Sequence, residues 1–305
     1  MASGAQVLGT FASISRLHIV AIAALGTFTF GWLFTGEYPW FLACICALDW
    51  FLVNLLNRVV DLKEDEANKI VGTDFVARHR RSILFGGFGV LFGSLLAVYF
   101  IEPAITPLRV GYHSLGFAYN WPLLPGGRRI KQLYFWKNTA SAMGFVLTVF
   151  LYPLADAGWG LSAAELAPGI TPLTIAFAAG FFILFELSYE VIYDLRDAPG
   201  DAAADVRTYP VVHGVRGAVR IIDGLIGASV VFLIAGYLMN VVPWRIFIMF
   251  AAPVMQVIIY KRALKRGLSA RDCIGLTWLG AGLLTVYHLW IVVGLPGVGG
   301  PNGYD

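Results

Sequence analysis

The feature that most constrains this chain is a succession of apolar runs, each close to 20 residues long. At 1.5 Å per residue a helix of that length crosses the ~30 Å hydrocarbon core of a bilayer. Nine such runs can be drawn, at 17–36, 38–58, 83–101, 104–122, 137–155, 170–193, 218–240, 244–260 and 273–294. Backbone polar groups in lipid must be satisfied inside the span, so runs of this length select helices. The expected fold is all-α and polytopic: nine transmembrane helices around a central cavity, in a single domain over residues 1–305. Residues 1–16 and 296–305 read as flexible tails. Composition agrees, since only 13% of residues are charged against roughly 25% in soluble domains. The fourth run is the weakest. It carries Pro107, Arg109, His113 and Asn120 and needs support from its neighbours. Cys44, Cys46 and Cys273 are an odd number within apolar runs, which gives neither a disulfide framework nor zinc spacing. No basic region precedes Arg16, so a cleaved leader is not expected.

Charge distribution orients the bundle. Nineteen of the 22 Lys and Arg residues fall in the loops after the second, fourth, sixth and eighth runs. The exceptions are Arg16, Arg109 and Arg245. By the positive-inside rule those loops and the N-terminus are cytoplasmic and the C-terminus lies on the far side. The basic loops are therefore a topology signal, and no nucleic-acid partner is expected. No feature of the sequence specifies an oligomeric state.

Two acidic stretches then share one face of the membrane. The first, Asn57-Arg-Val-Val-Asp61-Leu-Lys-Glu-Asp65, follows the second run. Its Asn57, Asp61 and Asp65 form a stripe at i, i+4 and i+8 on a helix. The second, Glu190-Val-Ile-Tyr-Asp194-Leu-Arg-Asp197-Ala-Pro-Gly-Asp201, follows the sixth run. There Asp194, Asp197 and Asp201 share a face if the helix continues, although Pro199 and Gly200 predict its end. Facing carboxylates repel unless cations lie between them. Carboxylate and amide oxygens suit a hard cation such as Mg²⁺, which commonly combines them with substrate phosphate. Nearby Lys and Arg side chains suit the outer phosphate oxygens. This points to ionisation of an allylic diphosphate, with the hydrocarbon tail among the apolar spans and aromatic faces shielding the cation. Asp49 extends the first stripe into the membrane, and Glu186 and Glu190 extend the second. Ionisable groups at such depth are costly and tend to be functional.

The paired motifs resemble the UbiA superfamily of intramembrane prenyltransferases, in which N-x-x-x-D-x-x-x-D follows the second helix and D-x-x-x-D the sixth. Here these are Asn57/Asp61/Asp65 and Asp197/Asp201. The continuation Arg207-Thr208-Tyr-Pro210-Val-Val-His-Gly214 is similar to the family's (K/R)-T-x-P-x-x-x-G, and Tyr119-Asn-Trp-Pro122…Arg129-Ile-Lys131 to its segment between helices four and five. The resemblance covers nearly the whole chain. It implies a prenyl diphosphate donor, a lipophilic acceptor with an aromatic ring or hydroxyl, and two Mg²⁺ ions. Asn57, Asp61 and Asp65 would hold one ion, and Asp197 and Asp201, supported by Asp194, the other. Asp61, Asp65, Asp197 and Asp201 are the catalytic carboxylates on this reading. Lys69, Lys131 and Arg207 are the expected diphosphate ligands, and Asp49, Tyr119, Glu190 and Tyr193 the expected pocket residues. The chain departs from the family at Asn68-Lys69-Ile-Val-Gly-Thr-Asp74, where N-K-P-x-R-P is usual. Two alternatives stand beside transfer: a membrane terpene cyclase of the same superfamily, which needs no acceptor, and an acid-lined divalent-cation transporter. The transporter predicts carboxylates spread across the membrane, whereas most here crowd one surface.

Overall fold

The computed structural model describes residues 4–67, 70–160, 166–203 and 206–293. Among them there is no strand, only an isolated bridge between Leu124 and Arg128. Eight helices are long and apolar enough to cross a membrane: α2 (Leu17–Thr35), α3 (Trp40–Val60), α6 (Arg80–Ile101), α8 (Trp136–Asp156), α9 (Pro172–Ala203), α10 (Tyr209–Leu238), α11 (Trp244–Arg266) and α12 (Ala270–Val292). Between them lie α1 (Gly4–Ile14), α4 (Leu62–Ala67), α5 (Thr73–Arg78) and α7 (Thr106–Asn120). The segment expected as a flexible N-terminal tail thus contains helix α1, whose last residue, Ile14, packs with buried Val59 and Val76. The other expected tail, 296–305, lies outside the described residues.

The expected fourth span is α7, at 15 residues too short to cross a bilayer unaided. It is held inside the bundle by a polar knot. The Asp49 carboxylate of α3 receives both Nε and Nη2 of Arg109 from α7, at 3.0–3.2 and 2.5 Å. It also meets His113 Nε2 at 2.9 Å and accepts from the Tyr152 hydroxyl of α8 at 2.8 Å. Arg109 Nη1 donates to the Ser94 carbonyl of α6 at 3.0 Å. Four helices are tied at one fully enclosed carboxylate (Asp49 and Arg109 are both 0% exposed). Asp49, expected in the substrate pocket, is therefore a structural anchor. Its charge is spent on neighbouring helices, which is how buried charges are usually tolerated.

α2 packs against α3, α8 and α12. The middle of α8 is a π-helical segment, Val146–Leu151. There Thr148 accepts from Trp50 Nε1 at 3.0 Å, and its carbonyl accepts from the Thr27 hydroxyl at 3.2 Å. Such a bulge shifts register and frees carbonyls for other partners. α9 and α10 run side by side, with Gly180 and Gly236 at the contact. A Cβ built on Gly180 would come to 2.5 Å from Phe232 of α10, and one on Gly236 to 2.8 Å from Phe177 of α9, so the spacing favours glycine. The helix was expected to stop at Pro199 and Gly200, but α9 continues to Ala203 with Pro199 inside it.

Candidate active site

The first acidic stretch sits at a one-residue junction. α3 ends at Val60, Asp61 leaves helical geometry with φ −91° and ψ 17°, and α4 begins at Leu62. The i→i−4 ladder nevertheless persists, from Asp61 N to Asn57 O at 3.0 Å and from Asp65 N to Asp61 O at 2.8 Å. The stripe survives, and Asn57, Asp61 and Asp65 are all buried.

Each carboxylate of the stripe faces a cation. Asp65 accepts from Arg58 Nη1 at 2.6 Å. Asp61 accepts from Arg129 Nη1 at 3.0 Å and from Lys131 Nζ at 2.8 Å. Glu64 accepts from the same two side chains at 2.7 Å each. Burial raises the Glu64 carboxyl, but the hydrogen bonds and charges of Lys131 and Arg129 outweigh it and hold the group below its usual range. For Asp65 the balance reverses: burial dominates over Arg58 and Arg16 and lifts it above the usual range.

The second stretch is built the same way. Because α9 continues through Pro199, Asp194 and Asp201 lie two turns apart on one face. Lys137 Nζ bridges them, at 2.8 and 3.1 Å. Asn138 Nδ2 adds a bond to Asp194 at 2.9 Å. Asp197 is turned away from Lys137 and pairs with its neighbour Arg196.

One connection therefore grips both stretches. The segment between α7 and α8 supplies Arg129 and Lys131 to the first stretch, and Lys137 and Asn138 at the start of α8 hold the second. Its shape follows from its sequence. Gly126 and Gly127 take positive φ of 77° and 69° in a tight turn, closed by Leu124 N on the Arg128 carbonyl at 3.0 Å. A single 3₁₀ turn, Ile130–Gln132, is capped by Gln132 Oε1 accepting from Arg129 N at 2.9 Å. Arg129 and Lys131 are thus held to one side with little freedom. Arg16, at the α1–α2 junction with φ 48°, also serves both stretches, since its charge acts on Asp65 and on Glu190.

Behind this end lies an apolar cavity of about 260 Å³, walled by α2, α8, α9, α11 and α12. Phe30, Phe145, Phe182, Phe185 and Trp290 are among its lining residues. Glu190 and Tyr193 line it as expected, and so does Glu186. Tyr193 contacts the Thr277 hydroxyl of α12 at 2.8 Å. Tyr119 is not in the cavity wall but stands within electrostatic reach of Lys137, Glu190, Asp194 and Arg16.

The structure brings together Asn57, Asp61, Asp65 and Lys131 in one group and Asp194 and Asp201 in another. Arg207 is exposed on the segment before α10, and among the described residues no hydrogen bond or ion pair joins it to either group. Lys69 lies outside the described residues. Arg129, Lys137, Asn138 and Arg16 are not among the site residues expected from sequence. Arg129 stands in the sequence within the family-like segment Tyr119…Lys131, and Lys137 within a basic loop.

An oxygen-only donor set suits Mg²⁺, and Asn57 Oδ1 is buried without a hydrogen-bond partner in the described structure. That oxygen is the kind of group a hard cation would satisfy. Among the described residues no three acidic, His or Cys side chains are gathered as a ready-made cage; Asp61, Asp65, Asp194 and Asp201 are each paired with a lysine or arginine. The residues fit the ion by their chemistry, with the basic side chains as its competitors.

A model of the UbiA prenyltransferase family matches residues 10–278. No curated protein matches the chain in sequence. Among solved structures, a UbiA homologue from Archaeoglobus fulgidus bound to GPP and Mg²⁺ superposes with a TM-score of 0.68 at 15% identity, covering 93% of this chain and 99% of that one. A structure described as digeranylgeranylglyceryl phosphate synthase in membranes gives 0.58 at 14% identity, covering 94% and 98%. The apo UbiA homologue from Aeropyrum pernix K1 gives 0.59 at 13% identity, covering 92% and 98%.

Proposed function

Because this chain belongs to the UbiA prenyltransferase family, we propose that it is an Mg²⁺-dependent intramembrane enzyme that transfers a prenyl group from its diphosphate to a lipophilic acceptor. The observation that carries this reading is the junction of two unlike environments. An end crowded with paired carboxylates and cations lies one turn of α9 from a cavity walled by hydrocarbon and aromatic rings, Glu190 of that wall preceding Asp194 by four residues. A prenyl diphosphate has the same polarity, with a charged head and an apolar tail.

Asn57, Asp61 and Asp65 would hold one Mg²⁺, and Asp194, Asp197 and Asp201 a second. When bound, the ions neutralise charge developing on the departing diphosphate. The basic side chains do the rest. Lys131, Arg129 and Lys137 now neutralise the carboxylates. As diphosphate enters they exchange a carboxylate partner for a phosphate one and hold the head group in place. Lys69 and Arg207, which follow the two acidic stretches in sequence, would contact the outer oxygens.

The allylic carbon–oxygen bond then breaks, with its electron pair leaving on diphosphate. The acceptor's ring carbon or hydroxyl oxygen bonds to that carbon and gives up a proton. Phe145, Phe182, Phe185 and Tyr193 would line the path of the tail, excluding water and offering π-faces to the cationic carbon. The positive-inside bias of the basic loops supports a cytoplasmic orientation for this end.

The test is turnover by the purified protein with Mg²⁺ and prenyl diphosphates of several lengths, against a panel of lipophilic acceptors, read by mass. A prenylated acceptor is the expected product. Hydrocarbon or alcohol formed from the donor alone, at rates well above background and unchanged by any acceptor, would replace transfer with cyclisation. Asp61→Ala and Asp197→Ala are each expected to lower turnover by about 10³-fold, and full activity in both would sink the metal assignment.

A further inference from the structure

The cavity contains two carboxylates that the metal and diphosphate assignments do not use. Glu186, Tyr189, Glu190 and Tyr193 recur at i, i+3, i+4 and i+7, so α9 presents them as one wall. Three of the four are tied down. Tyr189 donates to the Leu276 carbonyl at 3.1 Å, Tyr193 meets Thr277, and Glu190 accepts from Ser141 at 2.8 Å. Glu186 has no hydrogen-bond partner among the described residues. It is half-buried and lines the cavity. Its helix position puts it about 12 Å along the axis from Asp194, and Glu190 about 6 Å. Among the described residues no Lys or Arg lines the cavity, and Glu186 and Glu190 are its acidic side chains.

An acceptor oxygen facing hydrocarbon is costly until a donor reaches it. An anion in this low-dielectric space would find no cation to pair with, only two acidic side chains one turn apart, which is discrimination by an unfavourable contact. Resting on the transferase reading above, we propose that Glu186 and Glu190 select the acceptor. The cavity admits uncharged lipophiles that present a hydroxyl to Glu186, and it rejects acceptors bearing a carboxylate or phosphate.

Three naphthalene probes of one shape test this: 2-naphthol, 2-methoxynaphthalene and 2-naphthoate, titrated by fluorescence against the full-length protein in nanodiscs, with empty nanodiscs subtracted. The wild-type protein is expected to bind 2-naphthol about tenfold more tightly than 2-methoxynaphthalene, from one satisfied buried acceptor, and 2-naphthoate least of all. In the Glu186→Gln, Glu190→Gln double variant, 2-naphthoate should bind at least as well as 2-methoxynaphthalene. Equal binding of all three probes to wild type overturns the proposal, as does an unchanged ranking in a folded double variant. The wild-type ranking decides the matter even if the variant does not fold. No prenyl donor is present, so the result is independent of turnover. A protein that shows the ranking yet never transfers a prenyl group would refute the transferase reading and leave the selectivity standing.

Discussion

At the scale of single residues, carboxylates in this protein divide by their partners. Asp49 is surrounded by Arg109, His113 and Tyr152 from other helices, while Asp61, Asp194 and Asp201 face lysines that can be re-used. The two kinds of site respond differently to mutation. Asp49→Asn leaves a buried guanidinium without its counter-ion and is expected to cost about 3–5 kcal/mol. It would show as a lowered unfolding temperature in detergent, with activity lost only as the fold is lost. Lys137→Ala removes a head-group cation and is expected to lower kcat/KM for the prenyl diphosphate about 10²-fold, with the unfolding temperature little changed. A melt as depressed as that of Asp49→Asn would reassign Lys137 to structure. Both residues mark the limits of reading the sequence. Asp49 stands out as a rare charge in an apolar run. Its partners lie on α7 and α8, 60, 64 and 103 positions away, and nothing in the spacing announces them. Lys137 was hidden by the opposite circumstance. It sits among basic residues that the positive-inside rule already explains, and only the fold shows that it spans two turns of α9.

At the scale of elements, long apolar runs and i, i+4 acidic stripes were legible because both are properties of one helix. Connections and breaks were less so. Pro199 predicts a stop, since proline lacks an N–H and clashes with the preceding turn, yet α9 runs four residues past it. That extension keeps Asp201 in register with Asp194, which local propensity could not reveal. The α2–α12 contact sets the width of the cavity. Gly280 lines it, and a Cβ there would approach Ile22 Cδ1 to 2.8 Å. Gly280→Leu should therefore shorten the usable tail space. The expected outcome is a larger loss of kcat/KM with geranylgeranyl than with geranyl diphosphate, measured in parallel assays. An equal loss with both donors would show that the tail does not run past this glycine.

At the scale of the whole molecule, the bundle is a polarised object with its titratable groups concentrated at one end. In a cysteine-free background, Arg128→Cys is expected to react with an impermeant thiol reagent from the cytoplasmic side only, and Glu37→Cys from the opposite side only. Labelling of both from one side would overturn the orientation. The Asp49 knot bears on how such a bundle is made. α7 is short and carries an arginine, a residue whose placement at mid-membrane costs roughly 2.5–3.5 kcal/mol during insertion. Its counter-ion arrives earlier, on α3, and the Tyr152 that completes the knot arrives later, on α8. Biogenesis therefore has an order: α7 cannot settle as the ribosome delivers it, and it becomes resident only when flanking helices close over it. The knot acts as a latch on topogenesis, and a chain lacking Asp49 should accumulate forms in which the α6–α8 region is left on the wrong side of the bilayer.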